Sequence, residues 1–554
     1  MRKKFLRTMA LAVAATLLLT ACSSGGGSSA GESSSSAAES STPTSSTAEA
    51  SGTTSEDTGS GEESYLCSDE PLELTAHIHW GNVYVLSDDW TVTNEAAKMT
   101  NISLKGTASP METDSTEAFN LMIAGQDIPD IVGGNRDLIN QYGMEGAFMP
   151  LNDLIEEYAL DFKKILDENP DIKGAITAAD GNIYQIPFVY ESLVSEAWFV
   201  RQDWLDAVGM EAPTTVDELH DVLTAFVNED PNGNGQKDEV GYFTRLTNTD
   251  NVLKGLLSLF GIQDAWHTDE EGNVGVGLYS EEYKEAIKSV SQWYAEGLID
   301  PEIFTRGSNA RDILFPENNG GVIHDWIPST TGYNEKLQES VPGFKVVGIL
   351  PPTDVNGDQW EVEARARLSG AGWAIGANNE HPEETMKYMN FWWTEAGRRL
   401  QTYGVEGDTY TMVDGEPVYT DKVLNATNPI NDYMRQIGGQ IEDMASLHDN
   451  SYERFMSDEE GNRVTKMYEE SGLVNKMNVK LPAVSFTQEE LDVVNSKWQP
   501  CRNYMLEQLQ KWTFDGSTID AEFDQYMANL KSMGIEDVIA AYQSAYDRLM
   551  EAAE

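Results

Sequence analysis

The chain has 554 residues, 40% of them hydrophobic, which is too long for one ordinary core and rich enough for two or more. Acidic residues outnumber basic ones by 92 to 37, a formal net charge of -55. A field of that sign excludes nucleic acid and anionic lipid surfaces as partners, and it makes any single pair of carboxylates uninformative.

Arg2, Lys3, Lys4 and Arg7 open the chain, and an apolar run from Met9 to Leu19 follows. The run is too short to span a bilayer, so residues 1–21 read as an export signal. It ends in Leu19-Thr20-Ala21-Cys22, which resembles the lipobox of bacterial lipoproteins. That resemblance implies cleavage before Cys22, a lipid on its sulfur, and membrane attachment through that anchor alone. A plain secretory signal with an incidental cysteine is the alternative. From Ser23 to Ser64 there is no aromatic residue and almost nothing apolar to offset the entropy of ordering. Residues 22–69 therefore read as the lipidated cysteine and a flexible tether, with a root-mean-square span of roughly 35 Å. Of the three cysteines, Cys67 and Cys501 remain. They form a disulfide or stay as two buried thiols.

The folded body starts near Glu70. LELTAHIHW (Leu72 to Trp80) alternates as a strand does. A helix through Trp90 to Met99, a strand at Ile102 to Leu104, a helix stopping at Gly125 and a strand at Ile131-Val132 follow. This alternation is that of an α/β lobe. Thr215 and Glu218 form a capping box ahead of Val216, Leu219, Val222, Leu223 and Phe226 on one helical face. Ser280 caps a helix bearing Tyr283, Ile287, Val290 and Tyr294, and Gly297 ends it. Gly320 to Trp326 reads as a strand running into a loop. From Thr487, capped by Glu490, the chain reads as helical to its end.

Several segments together resemble family 1 extracellular solute-binding proteins, in the large lipoprotein branch that serves carbohydrate ABC importers. They are AGQDIPDIV (Ala124 to Val132), YGMEGAFMPLNDLIEEY (Tyr142 to Tyr158), ADGNIYQIPF (Ala179 to Phe188) and WFVRQDWLDAVGMEAPTTVDEL (Trp198 to Leu219). GAGWAIGANNEHPEETMKYMNF (Gly370 to Phe391), YGVEGDTYTMVDGEPVY (Tyr403 to Tyr419) and IEDVIAAYQSAYDRL (Ile535 to Leu549) complete the set. The resemblance implies an α/β, two-lobed periplasmic-binding-protein-like fold with an interlobe cleft and crossing hinge strands. By that analogy the N-terminal lobe is 70–188 plus 320–370, and the C-terminal lobe is 189–319 plus 371–554. It further implies a monomer on the outer face of the bacterial cytoplasmic membrane, passing a carbohydrate to permease subunits.

DPNGNGQKDE (Asp230 to Glu239) crowds oxygen donors into one loop. With Asp230 as position one, Asn232 and Asn234 stand at three and five, Gly235 at six, and Gln236 at seven can offer its carbonyl. This is the start of an EF-hand loop, and oxygen-only donors suit Ca2+. Position twelve is Gly241, so the usual bidentate Glu is missing, and Asp238 and Glu239 are the candidates to fill that side. The alginate-oligosaccharide-binding members of the family carry a similar calcium loop. The role expected here is structural. A Gly/Asn-rich turn without metal is the alternative.

Sugars need aromatic faces for their C–H surfaces and planar polar groups for their hydroxyls. In two-lobed α/β receptors these groups sit beyond the carboxyl ends of strands. Trp80, Asn135, Arg136, Tyr190, Glu191, Trp326, Trp360, Arg365 and Trp373 are the candidates on that ground, with Asp325 beside Trp326 and Arg367 near Arg365. Each Trp also suits lobe packing, and the arginines also suit pairing with surplus acids. His77 and His79 face one side of a strand, as half a metal site or as two satisfied imidazoles. No HExxH, GxSxG, P-loop or dinucleotide fingerprint occurs, but composition does not exclude a secreted carbohydrate-active hydrolase using two carboxylates. It is the family resemblance that implies a receptor over that rival and over a peptide- or glycan-binding surface lipoprotein.

Overall fold

The computed structural model describes residues 65–249, 251–262, 266–475 and 480–553. The export signal, Cys22 and the tether up to Ser64 lie outside the described residues.

Two mixed sheets organise the body. In the first, the strands run in the order Leu447–His448, Ile186–Tyr190, Leu368–Ile375, Ile131–Asn135, Leu72–His77 and Ile102–Gly106. Leu72–His77 lies parallel to both of its neighbours, as expected where helices cross between strands. Leu368–Ile375 enters antiparallel between Ile131–Asn135 and Ile186–Tyr190. In the second sheet the order is Val346–Ile349, Glu196–Arg201, Gly320–Trp326 and Val240–Phe243.

Each sheet has its own core. Leu74, Ile131, Trp373, Met386 and Trp392 belong to the first. Trp198, Val200, Leu219, Tyr242 and Val322 fill one face of the second, where Leu509 and Trp512 of the Gln488–Phe514 helix join them. Phe199, Phe243, Ile323 and Phe344 fill its other face, together with Val464 and Tyr468 of the Glu459–Ser471 helix. Successive residues Trp198, Phe199 and Val200 go to opposite faces, as the two-residue strand period requires.

This pairing corrects the division expected by analogy. Residues 320–326 pair with the second sheet and residues 368–375 with the first. The chain crosses from the first sheet to the second after Tyr190, and returns through residues 361–367. It leaves the first sheet again after His448. These crossing segments are hydrogen-bonded to one another. Arg365 N donates to Leu193 O (2.9 Å), Tyr190 N to Arg367 O (2.9 Å) and Glu191 N to His448 O (3.2 Å).

The C-terminal segment forms three helices, Gln488–Phe514, Ile519–Met533 and Ile535–Ala553. The last lies against the Pro170–Ile176 helix of the first lobe, so closely that a Cβ on Gly174 would come within 2.5 Å of the Leu549 carbonyl oxygen. Cys67 and Cys501 are free thiols in separate cores. Burial pushes Cys67 up to about 12, so it stays protonated.

Candidate functional site

Both sheets deliver strand ends to one cavity of about 220 Å³. The first lobe contributes Phe188 and Tyr190 from a strand end, His448 from its edge strand, Asn431 and Arg435 from the Ile430–Gln436 helix, Gln440 and Glu442 from the turns after it, and Tyr452 and Glu453 from the short Asn450–Phe455 3-10 helix. The second lobe contributes Ser195, Trp326 and Pro328, and Arg365 enters from a crossing segment.

The aromatic wall is organised by edge contacts. Tyr190 meets Phe188 and His448 edge-on at 5.3 and 5.6 Å, and Tyr452 meets His448 at 5.5 Å. Tyr190 is fixed at its other end, where its hydroxyl donates to Glu442 Oε1 at 2.8 Å. Burial, with Glu442 adding, raises the Tyr190 phenol far above its usual range, so it remains a donor. The Arg365 guanidinium lies 4.9 Å over the Tyr190 ring while its Nη2 reaches Glu453 at 2.7 Å. Burial, then Arg365 and Arg435, push His448 down to about 3, leaving a neutral imidazole. Trp326 is 43% exposed, a large aromatic face open to the cavity. Its backbone is held by Asp325, which is itself buried between Arg311 (2.6 Å) and Arg245 (2.9 Å).

A neighbouring depression of about 270 Å³ shares Glu442 as a wall and adds Trp80, Asn135, His79 and Asp443. Arg435 joins the two, lining the first cavity while its guanidinium lies 4.9 Å over Trp80. Asn135 Oδ1 also caps a helix, accepting from Asp137 N and Leu138 N.

Of the residues picked from sequence, Tyr190, Trp326 and Arg365 thus stand at one cavity, with Trp80 and Asn135 next to it. Trp373 does not. It is fully buried and stacks on Tyr388, because its strand lies between two others in the first sheet. Glu191 points to another surface, where it pairs with Arg398 at 2.8 Å. Trp360 is held in its own loop by an Nε1 hydrogen bond to Asp354 (3.3 Å). Arg136 is buried beneath the strand end, with Nη1 lacking a partner. Arg367 lines a separate pocket at the crossing segments. His79 is satisfied by Ser115 Oγ (2.9 Å) and Glu112 O (3.0 Å), whereas burial, with His79 adding, pushes His77 down to about 4.

Besides Phe188, Ser195 and Pro328, the lining residues that sequence reading missed come mostly from one stretch, Asn431 to Glu453. Its helix, Ile430–Gln436, and its strand, Leu447–His448, are too short to show a period. Its remaining signal is density, with aromatic and polar side chains interleaved between glycines.

The Asp230–Glu239 loop sits between the Val216–Asn228 helix and the Val240–Phe243 strand. Its donors converge. Asp230 accepts from Asn234 N and Gly235 N at 3.0 Å each, and Asn234 Nδ2 donates to both Asp238 oxygens (3.1 and 3.2 Å). Gly235 supplies the left-handed turn at φ +76°. Glu239 Oε1 is buried and accepts nothing; burial first, then Asp238 and Asp230, hold its carboxyl above the ordinary range. An oxygen-only donor set with an orphaned buried carboxylate oxygen fits a hard cation. The absent twelfth ligand has a steric reason. A Cβ at Gly241 would meet the Leu298 carbonyl oxygen at 2.5 Å, so no glutamate fits there. Among the described residues, no group of three or more His, Cys, Asp or Glu side chains is placed to hold a metal. The loop's set instead mixes three acids with the side-chain amides of Asn232 and Asn234 and the carbonyl of Gln236.

Two α/β lobes joined by hydrogen-bonded crossings, with an aromatic and polar cavity between their strand ends, define a two-lobed ligand-binding protein. The chain belongs to the bacterial extracellular solute-binding protein family, whose description it matches over residues 98–399. It is 30% identical over 471 residues to the fructooligosaccharide ABC transporter substrate-binding protein FusA of Streptococcus pneumoniae, covering 79% of this chain and 83% of that one. Its structure is similar to that of the alginate-binding protein AlgQ2 without calcium ion, with a TM-score of 0.69, 36% identity, and 88% and 100% of the two chains covered. It is also similar to S. pneumoniae FusA in complex with kestose, with a TM-score of 0.63, 25% identity, and 86% and 99% covered. No helix among the described residues is long and apolar enough to cross a membrane.

Proposed function

We propose that the protein is the external receptor of an ABC importer, which captures an oligosaccharide between its lobes and presents it unaltered to the permease. The observation that carries this reading is the cavity between strand ends, where Trp326 offers an exposed ring face across from Tyr190, Arg365, Arg435 and Glu442, with Trp80 in the depression next to it. Aromatic faces pack on the C–H side of a sugar ring while polar groups take its hydroxyls. The names of the relatives support a carbohydrate, since FusA is a fructooligosaccharide receptor and AlgQ2 binds alginate.

The lobes close about the crossing segments, with ligand contacts to both faces supplying the bias toward the shut form. Cys22 carries the lipid anchor on the outer face of the cytoplasmic membrane, and the tether keeps the receptor close to its importer, raising its effective concentration there. Asp230, Asn232, Asn234, Asp238, Glu239 and the Gln236 carbonyl hold a structural Ca2+, whose charge offsets repulsion within an acidic loop. The experiment is a thermal-shift screen over oligosaccharides followed by chromatography of the sugar. A rise in Tm with the sugar intact is expected; a shortened sugar would identify a hydrolase and overturn the proposal.

A further inference from the structure

We infer that the guest in this cleft is a neutral oligosaccharide recognised through its hydroxyl donors, and that Glu442 excludes uronates. The inference rests on the receptor reading and narrows it.

The cavity wall is rich in unfilled acceptors. Asn431 Oδ1 and Gln440 Oε1 are buried and accept no hydrogen bond. Glu442 takes one hydrogen bond, from Tyr190, on a carboxylate with several lone pairs. Groups of this kind need O–H or N–H donors. A sugar ring supplies them as hydroxyls, whereas a carboxylate brings acceptors alone.

The charges point the same way. The cations lining the cavity are Arg365 and Arg435. Arg365 is paired with Glu453 at 2.7 Å and also donates to Ser192 O at 3.2 Å. Arg435 stacks on Trp80 and stands 3.6 Å from Asp432. Arg365 is therefore taken up by its acid, Arg435 has Asp432 beside it but keeps its Nε without a partner, and Glu442 faces the cavity with no cation paired to it. His448 adds no charge, since burial holds it neutral. Behind Trp326, Arg311 and Arg245 close on Asp325, and neither is among the residues lining the cavity. A uronate would meet the Glu442 carboxylate and an Arg365 already paired, against the field of a chain carrying -55.

The test is isothermal titration of the full chain with size-matched oligomers at low and physiological salt. Neutral fructo-, gluco- and galacto-oligosaccharides are compared with oligoalginate and oligogalacturonate. A neutral oligomer is expected to bind, with uronates of the same length weaker by about tenfold or more. Glu442→Gln keeps an amide oxygen for Tyr190 and is expected to narrow that gap, most at low salt. A uronate that binds tighter than every neutral oligomer overturns the inference and leaves the receptor reading standing. A gap unmoved by Glu442→Gln overturns the role of that carboxylate. Binding of neither class overturns the receptor reading, and the inference with it.

Discussion

Tyr190 and Glu442 stand 252 positions apart in sequence, yet the phenol donates to the carboxylate at 2.8 Å on the wall of the interlobe cavity. One sits on the strand that leaves the first lobe and the other in the turn before its edge strand, so the bond fixes the aromatic face where the lobes meet. Tyr190→Phe keeps the ring and removes the donor. Ligand affinity is expected to fall by about 0.5–1.5 kcal/mol by calorimetry, with the Tm of the free protein little changed. An unchanged affinity would mean that Glu442 orients nothing the ligand uses.

Trp326 is the exposed aromatic that lines the cavity from the second lobe. Its side chain leaves the core almost untouched, so Trp326→Ala is expected to leave unfolding by denaturant within about 0.5 kcal/mol of the parent. Ligand affinity should fall by about 2 kcal/mol or more, as for a central aromatic anchor. A variant that binds normally would move the sugar platform elsewhere.

The Asp230 loop predicts a calcium-dependent Tm. Chelation should lower it and added Ca2+ restore it, by roughly 2.7 kcal/mol of stability at a hundredfold excess over Kd. Asp230→Ala should abolish the response. A melting curve indifferent to calcium in the parent protein would return the loop to an ordinary turn.

Much of this was legible in the sequence. The Gly320–Trp326 strand, the Tyr283–Ala295 helix and the capping box at Thr487 follow local periodicity and capping, and the structure has them. At Thr215 the cap differs in detail, because the Glu218 carboxylate reaches back to Thr214 N and Oγ (2.8 and 2.6 Å). The sheet to which a strand belongs is not a local property. Residues 320–326 and 368–375 are similarly apolar, and their partners lie far away in sequence. The site was half legible for the same reason. Tyr190 and Trp326 end strands that the pattern reveals, whereas Arg435 sits on a two-turn helix, Glu442 in a turn and His448 on a two-residue strand, all too short to leave a period.

His324 lies buried between Glu361 (3.1 Å), on a crossing segment, and Glu196 (3.4 Å), at the start of a second-sheet strand. Burial opposes its charge, but Glu361 and Glu196 outweigh it and push His324 up to about 10. A folded pKa above the unfolded value of about 6.5 means stabilisation that is full below about pH 6.5 and lost as pH rises through about 10. His324→Gln should remove that alkaline limb and cost about 3–5 kcal/mol near neutral pH, since two carboxylates lose their partner. Parallel Tm curves for the two proteins across the window would contradict the pairing.

The central claim is that two lobes shut on an oligosaccharide and leave it whole. Small-angle scattering of the calcium-loaded chain, with and without a bound sugar, tests it most directly. The account predicts a smaller radius of gyration in the complex and the same sugar recovered afterwards. A radius unchanged by a sugar that calorimetry shows to be bound, or a sugar recovered in pieces, would contradict it.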